Sequence, residues 1–504
     1  MAAHLADHQA EADETVKWLV WLTLVSLMLL AARWFALQFN ATDLFFDEAQ
    51  YWAWSEEPAF GYYSKPPLIA WIIGAATNIC GSGEACIRAP SALIYVFAAF
   101  GIFAAASQLY GARTAFLSAV VFSTVPGVSL SAGIISTDVP LLAAWAWALA
   151  AFVWLLRGGR WPAAVALGIA LGVGLNGKYA MAYFVLCALV YVIANPRGRW
   201  LIASAQFWLA IAIAVTMIAP NIAWNLDNGF ATFSHTADNA NWGGQLGNPG
   251  KALEFFGAQF GVFGPILFAG LLIVSWRAWR DGLTDADALL LCFAIPVILI
   301  VTCQAFVSRA HANWAAVSYV AASIVVTATM VRDRDWWWFR ASLALHLAIA
   351  VMLAAALSFA GQFALPGGAD PFRRTLGWEA LAERIDRAID NAQGQGEPIK
   401  TVLTDSRAMS SELLYYLRKR LSADDIQLAA WRGARPPKDH FTLKRPFANN
   451  PRTPVLYVST RSDARDRILT RFRSQTPLGR VSAKTGQKGE RAADLYKLED
   501  YVVR

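Results

Sequence analysis

Apolar runs separated by short polar turns fill the chain as far as residue 360. The first is Trp18–Leu37, and others lie near 89–109, 114–131, 139–156, 162–175, 179–194, 201–220, 256–275, 285–304, 314–331 and 339–360. A helix needs about 20 mostly apolar residues to cross the hydrocarbon of a bilayer. The pattern therefore predicts a polytopic α-helical membrane protein with about 11–13 transmembrane helices. Leu68–Ile79 is also apolar but sits inside a polar loop, which suits a re-entrant or interfacial helix. The first sixteen residues are polar and of mixed charge, and Trp18–Leu37 is too long and unbroken for the core of a cleavable signal. It reads as a first span that is retained.

Basic residues orient these spans. With the N-terminus placed in the cytoplasm, the inner turns carry Arg113, Arg157 and Arg160, Arg197 and Arg199, Arg277 and Arg280, and Arg332 and Arg334. Each inner turn is thus basic, as the positive-inside rule requires. The same alternation puts the 38–88 loop, the 132–138, 176–178 and 305–313 turns, the 221–255 loop and the tail outside. In that tail long apolar runs stop and charge rises. Thr401–Leu403 and Pro454–Val458 read as short buried strands, and Ser410–Arg418 and Asp463–Phe472 as amphipathic helices. Two domains are predicted: a membrane domain over 1–362, containing the outer loop 38–88, and a small soluble α/β domain over 363–504.

Composition agrees. The chain is 57% hydrophobic and only 16% charged, where a soluble protein carries about a quarter of its residues as charges. Its 22 Trp and 29 Phe suit interfacial belts. A net charge of +7 is explained by cytoplasmic turns and a basic tail, and does not argue for nucleic acid. No C-x-x-C pair or Cys/His ligand cluster appears, which speaks against a zinc site. Cys80 and Cys86 lie in the outer region and could pair; Cys187, Cys292 and Cys303 read as buried apolar positions.

Ionisable groups at a membrane face are costly, so those present are candidate sites. The first outer loop holds Phe46-Asp47-Glu48-Ala49 and then Tyr62-Tyr63-Ser64-Lys65-Pro66-Pro67-Leu68. Its Trp-rich stretch suits a helix lying in the interface. Asp47, Glu48 and Asp138 are the candidate catalytic carboxylates, although each could simply cap a helix. Lys65, Arg88, Lys178 and Arg309 are cations on the side where the positive-inside rule disfavours them. They suit an anionic head group such as a lipid phosphate, with snorkelling as the alternative. Tyr62, Tyr63, His311 and Asn313 are candidate substrate-binding groups. The long outer loop adds Asn221, Trp224, Asn225, Asp227, His235 and Asp238, side-chain types that suit sugar recognition.

On these residues the chain resembles the membrane glycosyltransferases of the protein-mannosyltransferase-like superfamily, which have the GT-C fold and use polyprenyl-phosphate sugars. The resemblance rests on Phe46 to Ala49, Tyr62 to Leu68, Thr137-Asp138-Val139-Pro140, Gly177-Lys178-Tyr179 and Arg309 to Trp314. Asp370 to Arg374 with Gly377-Trp378, Thr404 to Arg407, and Glu412 to Tyr416 look like the bacterial branch, whose members include aminoarabinose and galacturonic acid transferases acting on lipid A or lipopolysaccharide core. The resemblance implies that Asp47 acts as general base or orients the acceptor nucleophile, and that the outward cations stabilise the departing lipid phosphate. It also implies a polyprenyl-phosphate-linked sugar and a glycolipid as partners, at the periplasmic face of the inner membrane. Ser64 replaces an acidic residue of the aminoarabinose transferases, which weakens the case for that sugar and for a metal built on that acid. No cofactor is required; a divalent cation on Asp47 and Asp138 stays open. Protein O-glycosylation and a lipid-sugar flippase are the alternative functions. The absence of an internal repeat and the single polar face favour an enzyme.

Overall fold

The computed structural model describes residues 2–502 except 241, 243–245, 283, 366–369 and 434–435. Two compact units are formed by interleaved segments. One comprises residues 1–38, 65–72 and 88–354, and the other 39–64, 73–87 and 355–504.

The first unit is helical. Among the described residues of the chain, six helices are long and apolar enough to cross a membrane: Glu11–Leu37, Glu84–Tyr110, Asp138–Leu156, Ala205–Asp227, Asp285–Val307 and Trp336–Ser358. The count of 11–13 expected from apolar runs is not reached by length alone, and proline is one reason. The 256–275 run is not one straight helix. It falls across Pro249–Val262 and Pro265–Asp281, which are bent by 114°. Gly264 sits at the corner with φ +93°, and a Cβ there would collide with the His346 ring. Likewise, 114–131 divides into Ala112–Thr124 and Pro126–Ser131, because a residue before proline is pushed out of the helical region and Val125 is extended at ψ 145°. Leu68–Cys80, Ala112–Thr124, Tyr179–Ala194 and Ser318–Arg332 are shorter apolar helices.

Helix ends bring like turns together. The Tyr110 hydroxyl donates to Asp287 Oδ1 at 2.6 Å, and Arg332 reaches Asp287 Oδ2 at 3.0 Å. Arg277 pairs with Asp333 at 2.6 Å, and Arg113 lies over the Trp336 ring at 5.0 Å. Three of the turns assigned to the cytoplasm are thereby linked.

The second unit contains a five-stranded sheet. We label its strands β1 (Thr401–Thr404), β2 (Gln427–Ala430), β3 (Val455–Ser459), β4 (Phe472–Lys484) and β5 (Glu490–Tyr501), in the order β2-β1-β3-β5-β4. β1 runs parallel to β2 and β3, while β5 is antiparallel to β3 and β4. Alternation along β3 divides two cores. Leu456 and Val458 meet Leu381, Ile385 and Ile389 of the helix Trp378–Gly394, whereas Val455 and Tyr457 meet Ile468 and Phe472. The expected strands and helices of the tail are present. Most of the first outer loop, grouped with the membrane domain on sequence, lies with the tail: residues 39–64 and 73–87 fall in the second unit and 65–72 in the first. Trp378 N–H donates to Asp43 at 2.6 Å, Leu44 N–H to the Tyr416 hydroxyl at 2.9 Å, and the Tyr415 hydroxyl to Ser82 O at 2.8 Å. Cys80 and Cys86 form a disulfide in this unit.

Candidate active site

Two groups of candidate residues are built, one in each unit. In the second unit, the helix Phe46–Ser55 carries Asp47 and Glu48 in its first turn. Carboxylates are favoured there by the unpaired N–H groups of a helix start. Glu48 is buried and its Oε2 accepts from Phe45 N–H at 2.9 Å. That bond makes Glu48 a cap of this helix. Asp47 is different. Its Oδ1 pairs with Arg407 at 3.0 Å, and Oδ2 has no hydrogen-bond partner among the described residues. Both side chains are about one-third exposed, so the pair fixes direction more than it stabilises the fold. Arg407 also lies 4.7 Å over the Phe46 ring, and Arg374 lies 4.8 Å over Phe45. Two guanidinium groups of the tail thus hold the Phe45-Phe46-Asp47 turn by cation–π contacts. Sequence reading did not name Arg407 as a site residue, since its partner comes from the opposite end of the chain.

Tyr62 is held inside the loop. It is buried, stacks on Trp54 with ring centroids 4.6 Å apart, and donates its hydroxyl to Trp54 O at 2.8 Å. Burial pushes its hydroxyl pKa up to about 12. Tyr62 thus braces the loop. Tyr63 is half-buried and donates to Pro437 O at 3.1 Å.

In the first unit, Asp138 begins the helix Asp138–Leu156 and receives two donors. Lys178 Nζ reaches Oδ1 and Asn313 Nδ2 reaches Oδ2, each at 2.6 Å. Lys178 follows the last turn of Arg160–Gly177, and Asn313 lies in the short 3₁₀ turn Ala312–Ala315. Three separate turns, grouped on one face by the sequence alternation, thus converge on one carboxylate. The His311 ring packs edge-on to Trp314 at 5.4 Å, while Arg309 O accepts from Gln304 at 3.3 Å. Lys65 is half-buried. Arg88, expected to bind phosphate, is 1% exposed; only a rearrangement of its surroundings would bring it to a ligand. Asn221 and Asn225 do not offer a sugar-binding surface. Both are fully buried and hydrogen-bonded to the Tyr179 hydroxyl, at 2.6 and 3.3 Å.

Sequence comparison decides the family. The chain is 37% identical over 385 residues to the lipid A galacturonosyltransferase RgtD of Rhizobium johnstonii, spanning 76% of this chain and 79% of that protein. It belongs to this family of membrane glycosyltransferases. The dolichyl-phosphate-mannose-protein mannosyltransferase family model matches residues 64–224. The glycosyltransferase has the GT-C fold seen in ArnT from Cupriavidus metallidurans, both in its apo state and bound to undecaprenyl phosphate. Each structure gives a TM-score of 0.66 at 16% identity. The apo comparison covers 95% of this chain and 98% of that one, the bound comparison 97% and 99%. The multi-pass membrane architecture and the tail domain expected from sequence are therefore correct. Among the described residues, no group of three or more His, Cys, Asp or Glu is arranged to hold a metal ion.

One carboxyl of the glycosyltransferase escaped sequence reading as a special position. Glu412 is fully buried and neither of its oxygens has a hydrogen-bond partner. Burial chiefly, and then the charge of Asp43, drive its pKa well above the ordinary value, with Arg491 opposing. Above the ordinary carboxyl value of 4.5 the folded chain keeps a proton that the unfolded chain has lost. Stability must then fall with rising pH from there to the folded pKa, and level off beyond it. Glu412→Gln keeps the shape and removes the titration. Thermal unfolding of the full chain in detergent should show the variant gaining on the wild type with rising pH, by on the order of a few degrees. Parallel pH profiles for the two proteins would refute a protonated Glu412.

Proposed function

We propose that this glycosyltransferase moves a sugar from a polyprenyl-phosphate donor to a glycolipid of the lipid A or lipopolysaccharide-core type, with inversion, at the periplasmic face of the inner membrane. The observation that carries the reading is Asp47: a carboxylate about one-third exposed at a helix start, directed by Arg407, with its other oxygen unpartnered among the described residues. In the reaction an acceptor hydroxyl gives its proton to Asp47 as its oxygen bonds to the anomeric carbon. The bond from that carbon to the phosphate oxygen breaks, and its electron pair leaves with the lipid phosphate. Lys178, fixed by Asp138, together with Lys65 and Arg309, would neutralise that phosphate, an effect that gains where water is scarce. Arg88 would join them only if its surroundings open. His311 and Asn313 would line the sugar.

The 37% identity to a lipid A galacturonosyltransferase supports the acceptor class, and undecaprenyl phosphate bound to ArnT supports the donor class. The basic turns assigned to the cytoplasm support the orientation, and the Cys80–Cys86 disulfide suits an oxidising compartment. The family model describes protein mannosyltransferases, so a protein acceptor is the second reading. Purified enzyme in proteoliposomes, given a polyprenyl-phosphate hexuronate and either lipid A or a Ser/Thr-rich peptide, separates the two. Sugar on lipid A only is expected. Sugar on the peptide only would overturn the acceptor, and labelling of residue 277 from outside intact cells would overturn the orientation.

A further inference from the structure

The carboxyl ends of the parallel strands of the second unit enclose a cavity of about 500 Å³. β1 lies between β2 and β3, so the chain leaves β1 toward one side and returns on the other. In open α/β sheets such a switch point at the strand carboxyl ends is where ligands bind. Here it is strongly basic. Arg407, Arg432, Lys438, Arg461, Arg467 and Arg471 line it, against only two carboxylates, Asp405 and Asp439.

The described lining therefore keeps an excess of positive charge, and both acids are also tied into local hydrogen bonds. Asp405 is the latch that joins the ends of β1 and β3. It accepts from the Thr460 hydroxyl at 2.7 Å, the Tyr457 hydroxyl at 3.0 Å, and the backbone N–H groups of Thr460 and Arg461 at 3.1 and 3.2 Å. Asp439 caps the next short helix by accepting from Thr442 N–H at 2.9 Å. Arg461 and Arg467 share one exposed carboxylate, Asp463, at 2.8 and 3.6 Å. The cavity is thus rich in guanidinium groups, whose planar fork matches phosphate oxygens. It also has an apolar wall. Trp431 is half-buried, its backbone N–H donates to Thr404 O at 2.8 Å, and its ring packs on Phe447 at 5.9 Å. A rigid aromatic face beside forked cations suits a ring that carries a phosphate.

We propose that this cavity binds a phosphorylated saccharide, the head group of the glycolipid acceptor. Its assignment to the acceptor rests on the reaction proposed above. Arg407 links the two features, since it lines the cavity and also holds Asp47 at 3.0 Å. A head group seated here would be delivered beside the base.

The test is a binding titration of the full-length enzyme in detergent, without donor, using glucosamine 1-phosphate, inorganic phosphate and glucosamine as probes. Glucosamine 1-phosphate should bind at least about tenfold more tightly than either of the others. The double variant Arg461→Ala/Arg467→Ala should lose about tenfold or more of that affinity. These two side chains are more than half exposed, so their truncation leaves the core intact. Trp431→Ala should bring glucosamine 1-phosphate down to the level of inorganic phosphate. Unchanged affinity in both variants, equal binding of inorganic phosphate by the wild type, or tighter binding of an acidic peptide would overturn the assignment. The two proposals fail separately. A wild type that binds the sugar phosphate but transfers nothing refutes the reaction, and one that transfers to lipid A but binds no sugar phosphate refutes the site.

Discussion

Asp47→Asn is expected to lower sugar transfer by about 10²- to 10⁴-fold, the usual worth of a positioned general base, while leaving expression and membrane insertion unchanged. Asparagine has the same shape, can still accept from Arg407, and cannot take a proton. The comparison that isolates basicity is Arg407→Gln. That variant frees the carboxylate from its guide but keeps it, so its loss should be smaller and should fall partly on acceptor affinity. Steady-state transfer measured with varied acceptor separates the two. Full activity of Asp47→Asn would remove the base from this position and leave the Asp47–Arg407 pair a surface ion pair of little consequence.

Lys178→Ala is expected to weaken binding of the polyprenyl-phosphate donor by about 10- to 100-fold, since a hydrogen bond to a charged group contributes about 1.5–3 kcal/mol. The ammonium is held 2.6 Å from Asp138 and is only 17% exposed, so its direction is set before any ligand arrives. Asp138→Asn tests that positioning. It keeps a group in place for Asn313 but removes the charge that fixes Lys178, and should raise the donor constant less than Lys178→Ala does. Lys178→Arg should restore part of the affinity, because the charge is kept and the reach is altered. Donor titrations read by quenching of tryptophan fluorescence would measure all three. Unchanged donor affinity in Lys178→Ala would reduce the Asp138–Lys178–Asn313 cluster to a structural tie between turns.

Much of this architecture is legible in the order of residues, for an identifiable reason. A bilayer imposes long apolar helices and charges basic turns, and both constraints leave marks within a short window of sequence. Asp138, Lys178 and Asn313 could therefore be assigned to one side before their contacts were known. Where local marks fail, the cause is also local. Pro126 and Pro265 interrupt runs that hydropathy alone joins. The hairpin β4–β5 is mostly exposed along β4 and shows no clean alternation of buried positions, so it reads as polar tail. Asn221 and Asn225 have sugar-friendly chemistry but spend it on Tyr179. Contacts between distant segments left no sequence signal at all. Nothing near Asp47 announces Arg407, and nothing near Glu412 announces that no donor faces it.

The most direct test of the central claim is mass spectrometry of membrane glycolipids from cells lacking this chain, complemented by the wild type or by Asp47→Asn. The account predicts that one sugar disappears from lipid A or the lipopolysaccharide core, returns with the wild type and stays absent with the variant. An unchanged glycolipid profile in the deletion, or full restoration by Asp47→Asn, would contradict it.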